Sequence, residues 1–493
     1  MVVQKRKDET VIGKKIIFAL LITLSQVIGP SWVHGQDYNL MLILVDDLGK
    51  EWVGCSGGDG GLTPNIDKLA TEGMRFENFY CMPQCTPTRV TLLTGQYPFR
   101  HGWVNHWDVP RWGGGCSFDP KLNPCFPRDL REHGWKTVAA GKWQIDDFRQ
   151  EPDAMVQAGF DHYCMWTGYE AGNPVSGQRY QDPYIFCDGV SRARPDAFGP
   201  DVFTDYLVNF IDQHASDRFF MYYPMVLTHS PLVATPADPQ AKTKLGKHRA
   251  MVRYTDRLVG RLMSALERNK IRDRTIVIFT TDNGTARNIT GRISGRPISG
   301  GKSKTLESGI CVPFIASCPG TIPEGVVSKA LVDITDLSAT FSDIAKIPNR
   351  PKPSHGRSFR SVLFGESTAS PRQWIMSMGG GNHAKLTDAG VENQYWFRDR
   401  VLRNDRYKIY INSNREAEKM VDLRRDPEEN LNILNSATPE IAAARRLFMK
   451  AVDQMPTKDA DPRYQALPQR EWFLIPDTPS QIWKTGRPNN ELP

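Results

Sequence analysis

The segment CTPTRVTLLTG, residues 85–95, places a cysteine two residues before Pro87 and four before Arg89, then runs through a short apolar stretch to Thr94-Gly95. A second cysteine, Cys81, lies four residues upstream without the same followers. A disulfide half, a metal ligand, a plain buried thiol and a catalytic group are all open to Cys85 at this point. Two other short runs carry oxygen ligands, Asp46-Asp47 in VDD and Asp282-Asn283 in TDNG. Carboxylate and amide oxygens suit hard divalent cations, and no soft ligand accompanies them, so the four predict one oxygen-ligated ion, calcium first and magnesium second. Taken singly, each run is also ordinary turn chemistry at a strand end, Asp-Asn-Gly being a favoured turn.

These residues need elements that deliver them to one place. NLMLILVDD (39–47) is a nearly continuous apolar strand ending in two aspartates. KTVAAGKW (136–143) ends near Lys142, RFFMYYPMVLTH (218–229) at His229, and TIVIFTTDNG (275–284) at Asp282 and Asn283. Helical periodicity fills the gaps, as in PNIDKLATEGM and HRAMVRYTDRLVGRLMSALERN. Apolar strands alternating with helices predict an α/β fold with a mainly parallel sheet covered on both faces. Ligands of such sheets bind beyond the carboxyl ends of the strands, where these polar residues fall.

The chain has 493 residues, 24% charged and 40% hydrophobic, the composition of an ordinary globular protein. Its N-terminus is different. Lys5, Arg6, Lys7, Lys14 and Lys15 precede the apolar run IIFALLITLSQVIG, and Val33 and Gly35 offer a small-residue cleavage pattern. Residues 1–35 therefore read as a signal peptide for export to the periplasm or the medium, the alternative being a retained anchor; no later stretch is long enough to span a membrane. Of the net charge of +7, that segment carries +3, and the remaining +4 is too small to argue for nucleic acid, though it could favour an anionic substrate. Nine cysteines in an exported chain permit disulfides and leave at least one unpaired. Cys116 and Cys125, flanking CSFDPKLNPC, are the expected bridge, and the absence of any CxxC pair argues against structural zinc.

Taken together, the motifs resemble those of the formylglycine-dependent sulfatases of the alkaline phosphatase-like superfamily. Cys85-Thr86-Pro87-Thr88-Arg89 with Leu93-Thr94-Gly95 matches the C-x-P-x-R signature and its trailing T-G, whereas Cys81 has Cys85 where the arginine belongs. VDDLG, TPNIDKLATEGMRFENFY, GKW, a His before Pro near 230, TDNG, GGKSKTLESGICVPFI, RNDRYKIYIN and DLRRDPEENLNIL follow in the family's order. The resemblance implies oxidation of Cys85 by a formylglycine-generating enzyme to an aldehyde that hydrates to a diol. One hydroxyl attacks sulfur in line and releases the alcohol, and loss of the other's proton then reforms the carbonyl and releases sulfate. It further implies Asp46, Asp47, Asp282, Asn283 and the modified residue 85 as ligands of the calcium ion. Arg89 would support the diol, while Lys142, His229 and Lys302 would neutralise sulfate and leaving-group oxygens, His229 being the plausible proton donor to the leaving alcohol.

Lys304 is a near neighbour of Lys302, but the family pattern favours the lysine after Gly300-Gly301. Gln144 stands where most members have histidine; it could hold a hydrogen bond to the modified residue but cannot shuttle a proton, and His101 in FRHG is one candidate to replace it. Cys311 replaces a common arginine, with an expected effect on packing.

The expected organisation is a signal peptide (1–35), an α/β catalytic domain (36–365) and a smaller C-terminal α+β subdomain with an antiparallel sheet and a surface tail (366–493). The Pro-rich 346–358 marks the boundary. The leading function is sulfate-ester hydrolysis on a sulfated small molecule or polysaccharide, with Trp103, Trp107 and Trp112 as possible sugar platforms. Phosphonate or phosphate ester hydrolysis and non-catalytic binding of sulfated glycans are the alternatives.

Overall fold

Asn39–Val45 (β1) is seven residues with no exposed member, which no edge strand or one-sided sheet would show. The computed structural model describes residues 38–104, 117–168, 174–347, 354–379, 384–387, 390–393 and 396–465, and in it β1 lies mid-sheet. The other strands in chain order are β2 (Met74–Tyr80), β3 (Lys136–Lys142), β4 (His162–Trp166), β5 (Tyr184–Cys187), β6 (Val190–Ala193), β7 (Phe219–Pro224) and β8 (Thr275–Thr281). After a ribbon of β9 (Thr290–Ile293) and β10 (Arg296–Ser299) come β11 (Phe314–Ser317) and β12 (Val326–Asp333). Ten strands form one sheet in the order β12-β2-β11-β8-β1-β7-β3-β4-β5-β6. Its centre, β8 through β4, is parallel, while β11, β5 and β6 run antiparallel to their neighbours.

The period-2 alternation of β1 divides its side chains between two hydrophobic clusters. Leu40, Leu42 and Leu44 join one that includes the helices Cys85–Thr94, Phe126–Glu132 and Thr335–Ile344. Met41, Ile43 and Val45 join the other, with the helices Pro64–Thr71, Gly199–Gln213 and Lys244–Arg268. Both faces are thus covered, as the apolar runs require. The 25-residue helix Lys244–Arg268 starts at a cap, the Thr243 side chain accepting from the Gly246 N–H.

Past residue 365 the chain forms β13 (Ile375–Met378), a ribbon of β14 (Ala384–Thr387) and β15 (Gly390–Asn393), and β16 (Arg400–Arg403), β17 (Tyr407–Ile411) and β18 (Ala417–Asp422). β13-β16-β17-β18 is the expected smaller antiparallel sheet. Its Met376, Leu402, Ile409 and Met420, with Phe448 of the helix Pro439–Asp453, belong to the same cluster as Leu40 of the large sheet. Among the described residues no helix is long and apolar enough to cross a membrane. The proposed signal peptide lies outside the described residues.

Two expectations are corrected. Cys125 is a free buried thiol that donates to the Ala158 carbonyl at 3.1 Å, its partner Cys116 lying outside the described residues. Among the described residues the disulfide joins Cys164 and Cys187, which face each other on β4 and β5. Trp103 is fully buried, edge-on to Phe118, and so offers no sugar platform; Trp107 and Trp112 are outside the described residues.

The chain after the last helix is fastened by charge. Arg400 on β16 donates to both oxygens of Asp459, at 2.8 and 2.6 Å, Arg398 N–H adds a third bond, and neither Arg400 nor Asp459 has any exposed side-chain surface. Asp459→Ala would strand that guanidinium in the core, so a loss of about 3–5 kcal/mol of stability is expected, read as a lowered denaturation midpoint.

Candidate active site

The carboxyl ends of the central strands meet at one edge of the sheet. Asp46 and Asp47 leave β1, Asp282 and Asn283 leave β8, and backbone bonds hold the exits together: Asp282 N–H to Val45 O at 2.9 Å and Asp46 N–H to Leu227 O at 2.8 Å. Lys142 is the last residue of β3. The preceding Gly141 has φ +122°, and a Cβ there would lie 2.0 Å from the Pro224 carbonyl, so only glycine lets β3 pass β7 so closely. Lys302 arrives on a turn whose Gly301 packs against the backbone of Gly309, a position a Cβ would occupy at 2.3 Å. Cys85 opens the helix Cys85–Thr94, all ten residues of which are buried. Its backbone end carries the positive pole of the helix.

Three ion pairs result. Lys142 Nζ is 2.6 Å from Asp46 Oδ2, Lys302 Nζ is 2.6 Å from the Asp47 carboxylate, and Arg89 Nη2 is 2.7 Å from Asp282 Oδ2. Arg89 Nη1 also donates to the Lys142 carbonyl at 2.8 Å, so one buried guanidinium ties the helix to both β3 and β8. Asn283 Nδ2 donates to Asp47 Oδ1 at 2.8 Å, and Asp47 N–H to Asp282 Oδ1 at 3.2 Å. Thr88 Oγ1, which no motif singled out, donates to the Asp282 carbonyl at 2.6 Å.

The electrostatics follow from crowding buried charges. Burial opposes ionisation of Asp46, yet Lys142, with Arg89 and Lys302, outweighs it and holds its carboxyl far below the usual range. Burial pushes Asp47 up despite Lys302, with Asp46 adding to the rise. Burial and the Asp46 charge together raise Asp282 to about 7. Burial also raises the Cys85 thiol, the two lysines opposing it, so the unmodified residue is held as a thiol and not as a thiolate. His229 is pushed well below the imidazole range, first by desolvation and then by Lys302, so the ring is neutral.

One ligand atom each from Asp46, Asp47, Cys85 and His229 lies within 4.8 Å of the others. Asp46 Oδ1 and Asn283 Oδ1 are buried without a hydrogen-bond partner. Orphaned oxygens among crowded carboxylates fit a hard divalent cation, and the residues predicted from sequence to hold one do converge.

Other expectations resolve by geometry. Lys304 is exposed and Lys302 is the lysine in the cluster. Cys81 is buried, its thiol directed at the Ile310 carbonyl at 3.5 Å. Cys311 sits 2.9 Å from Lys50 Nζ. His101 cannot stand in for a proton carrier: Trp103 N–H donates to its Nδ1 at 3.1 Å and its Nε2 faces Thr91 Oγ1 at 2.9 Å, so both ring nitrogens are committed. Gln144 is 3% exposed, has φ +71°, and its Oε1 has no partner. Sequence reasoning missed Arg179. Its Nη2 lies 2.8 Å from His229 Nδ1 and its guanidinium stacks on Trp166 at 4.5 Å, contacts that SGQRYQDPY gives no motif to announce.

The Sulfatase family model matches residues 38–347, a span that begins at β1 and takes in every residue of this cluster. The chain belongs to the sulfatase family. A model of the C-terminal part of N-sulphoglucosamine sulphohydrolase matches residues 302–455, which hold Lys302 and the small sheet. Relatives within the sulfatases include N-acetylgalactosamine-6-sulfatase of Canis lupus familiaris, 32% identical over 332 residues, 63% of this chain and 62% of that protein. Arylsulfatase A of Homo sapiens is 29% identical over 449 residues, 82% of this chain and 86% of that protein. The chain spans about three-fifths of the length of the N-acetylgalactosamine-6-sulfatases it matches. Ps i-CgsB shares the fold, with a TM-score of 0.69 at 24% identity over 87% of this chain and 95% of that one. So does PsFucS1 sulfatase from Pseudoalteromonas sp., with a TM-score of 0.66 at 22% identity over 86% and 92%.

If the orphaned oxygens bind calcium, adding it to chelator-treated protein stabilises the fold by about 2.7 kcal/mol at a hundred times the dissociation constant. A thermal melt of the Asp46→Asn variant should show no such shift.

Proposed function

We propose that this protein is an exported hydrolase of sulfate esters on carbohydrates, acting through a formylglycine made from Cys85 by a formylglycine-generating enzyme and through one calcium ion. The observation that carries this reading is the meeting of Cys85, at a buried helix start, with Asp46, Asp47 and His229 inside 4.8 Å, beside two lysines. Family membership supports the reaction class, and the neocarrahexaose bound to the structural neighbour Ps i-CgsB supports a sulfated glycan as substrate. The basic and apolar N-terminus supports export.

Asp46, Asp47, Asp282 and Asn283 would hold the ion, which supplies Lewis-acid polarisation when bound; the aldehyde hydrate supplies the nucleophilic oxygen when formed. The remaining work falls to the chain's own side chains. Lys142 and Lys302 put two ammonium groups against the Asp46 and Asp47 carboxylates, where they would bind sulfate oxygens and offset charge as the ester bond breaks. Arg89 is a positioning residue, fixing the start of its helix against β3 and β8.

His229 offers its ring N–H to the leaving alcohol oxygen, and Arg179 selects its tautomer. Two groups compete for His229 Nδ1: Arg179 Nη2 at 2.8 Å, a donor, and the Ser230 carbonyl at 2.6 Å, an acceptor. A charge-assisted hydrogen bond is roughly twice as strong as a neutral one, and arginine never gives up its proton, so Nδ1 accepts and the single ring proton sits on Nε2. That nitrogen faces the cluster, 3.9 Å from Asp47 Oδ2. Gln144 Oε1, buried and without a partner, is available to accept a hydroxyl hydrogen bond at residue 85 but moves no proton.

Trypsin cleavage after Arg75 and Arg89 releases Phe76–Arg89 with both cysteines, and fragmentation of that peptide should show conversion at Cys85 alone. An intact Cys85 thiol in active protein from the native host would sink the reading, and faster turnover of a matched aryl phosphonate would move it to the related ester class. Lys142→Ala and Lys302→Ala should each lower kcat/KM on an aryl sulfate by roughly 10²–10³. Arg179→Ala should slow esters of poorly acidic alcohols more than those of acidic phenols, which need no proton on departure. A uniform loss across leaving groups would show that Arg179 merely supports the fold.

A further inference from the structure

On the flank of the large sheet, the hairpin β5–β6 and the helix Gly199–Gln213 enclose a cleft of about 840 Å³. The Cys164–Cys187 disulfide lies in its wall and fastens β5 to β4, so the cleft is built on a rigid frame. Arg192 and Arg194, two residues apart along one strand direction, project to the same side into it. Neither guanidinium has a hydrogen-bond or ion-pair partner among the described residues, and the Nε of each is buried without one. Other arginines on the surface, among them Arg249, Arg253, Arg268 and Arg424, are paired with a carboxylate.

The cleft also contains two carboxylates, and these are already committed. Asp188 accepts from Tyr206 Oη at 2.8 Å and from Tyr163 N–H at 2.9 Å, and Asp205 is held by Arg261. Among the described residues the cleft therefore presents two uncompensated positive charges close together. Burial and the Arg192 charge both act against the charged form of Arg194, a cost that a bound anion would relieve.

We infer that this cleft is a second glycan-binding site, in which Arg192 and Arg194 bind sulfate or carboxylate groups of a polysaccharide chain away from the ester being cleaved. The inference rests on the carbohydrate reading of the active site. β6 lies three strands from β3, which carries Lys142, roughly 14 Å across the sheet at the usual strand spacing. A monosaccharide ester cannot touch both places, whereas an oligosaccharide can. Arg192 and Arg194 thus make the enzyme a reader of chain length and charge.

The test compares wild type with Arg192→Gln/Arg194→Gln, using a heparin-derived octasaccharide as probe for calorimetric binding and p-nitrophenyl sulfate for turnover. The double variant should bind the octasaccharide at least tenfold more weakly while aryl sulfate turnover is unchanged. Arg192→Lys/Arg194→Lys, which keeps the charge, should restore most of the binding and guards against misfolding as the cause. Equal octasaccharide affinity in wild type and the glutamine variant would overturn the inference. So would equal binding of neutral dextran oligosaccharide, or displacement by inorganic sulfate at the same concentration as the glycan. Because binding is measured directly, absence of turnover in every variant would count against the sulfatase reading alone.

Discussion

Three carboxylates, Asp46, Asp47 and Asp282, are carried almost completely out of water, and the molecule is arranged so that each meets a cation. Leaving any one unpaired would cost several kcal/mol, which is a large share of the stability of a whole domain. The partners come from a helix after β2, from the end of β3 and from a turn after β10, so the pairs can form only when the parallel sheet is complete. The balance is also poised. Three anions and three cations sum to nearly zero, and the set would become positive by two with a divalent ion bound, the condition under which an anionic ester is drawn in.

The helix Cys85–Thr94 follows from the same constraint. A helix buried on every side normally reads as uniformly apolar, yet this one holds four threonines and an arginine. Their polar atoms are mostly absorbed locally: Thr94 into the Val90 carbonyl, Thr91 against His101, Thr88 into the carbonyls of Met82 and Asp282. The polar residues that look costly in the sequence lock the helix in register against two strand ends. Cys85 is thereby presented from a frame with little freedom to move, as a reacting group requires.

The sequence made β1, β3, β7 and β8 legible because strands buried on both faces must be continuously apolar, and the polar residues ending such runs had one place to go. Asp46, Asp47, Lys142, His229, Asp282 and Asn283 are brought together for that reason, whereas Lys302 comes in on the turn after β10. Arg179 stayed hidden because its partner is 50 residues away and its own surroundings, Trp166 and Tyr180, are ordinary core. The Cys164–Cys187 bridge was hidden likewise: its halves are adjacent only through the antiparallel pairing of β4 and β5, whereas Cys125 looked like half of a bridge by spacing alone. His101 misled in the opposite way, as a histidine in a promising motif whose nitrogens both serve the fold.

Gln144 shows where the family pattern and this chain part. It occupies a left-handed backbone position two residues after the last residue of β3, where the chain turns abruptly from the strand direction, and its side-chain carbonyl oxygen is buried with nothing to accept from. An amide kept in that conformation can orient a hydroxyl but cannot relieve it of a proton. With His101 closed off, the proton-bearing groups beside the cluster among the described residues are His229, a neutral ring whose one proton the Arg179 contact places on Nε2, and Asp282, whose carboxyl burial and Asp46 raise to about 7. On the proposed reading, the His229 Nε2–H serves as a hydrogen-bond donor to the departing alcohol oxygen as charge develops on it, since a neutral ring that gave up its one proton would be left as an imidazolate. The Arg179 contact gains weight from this, since a ring that must present its N–H at Nε2 needs its other nitrogen held as an acceptor.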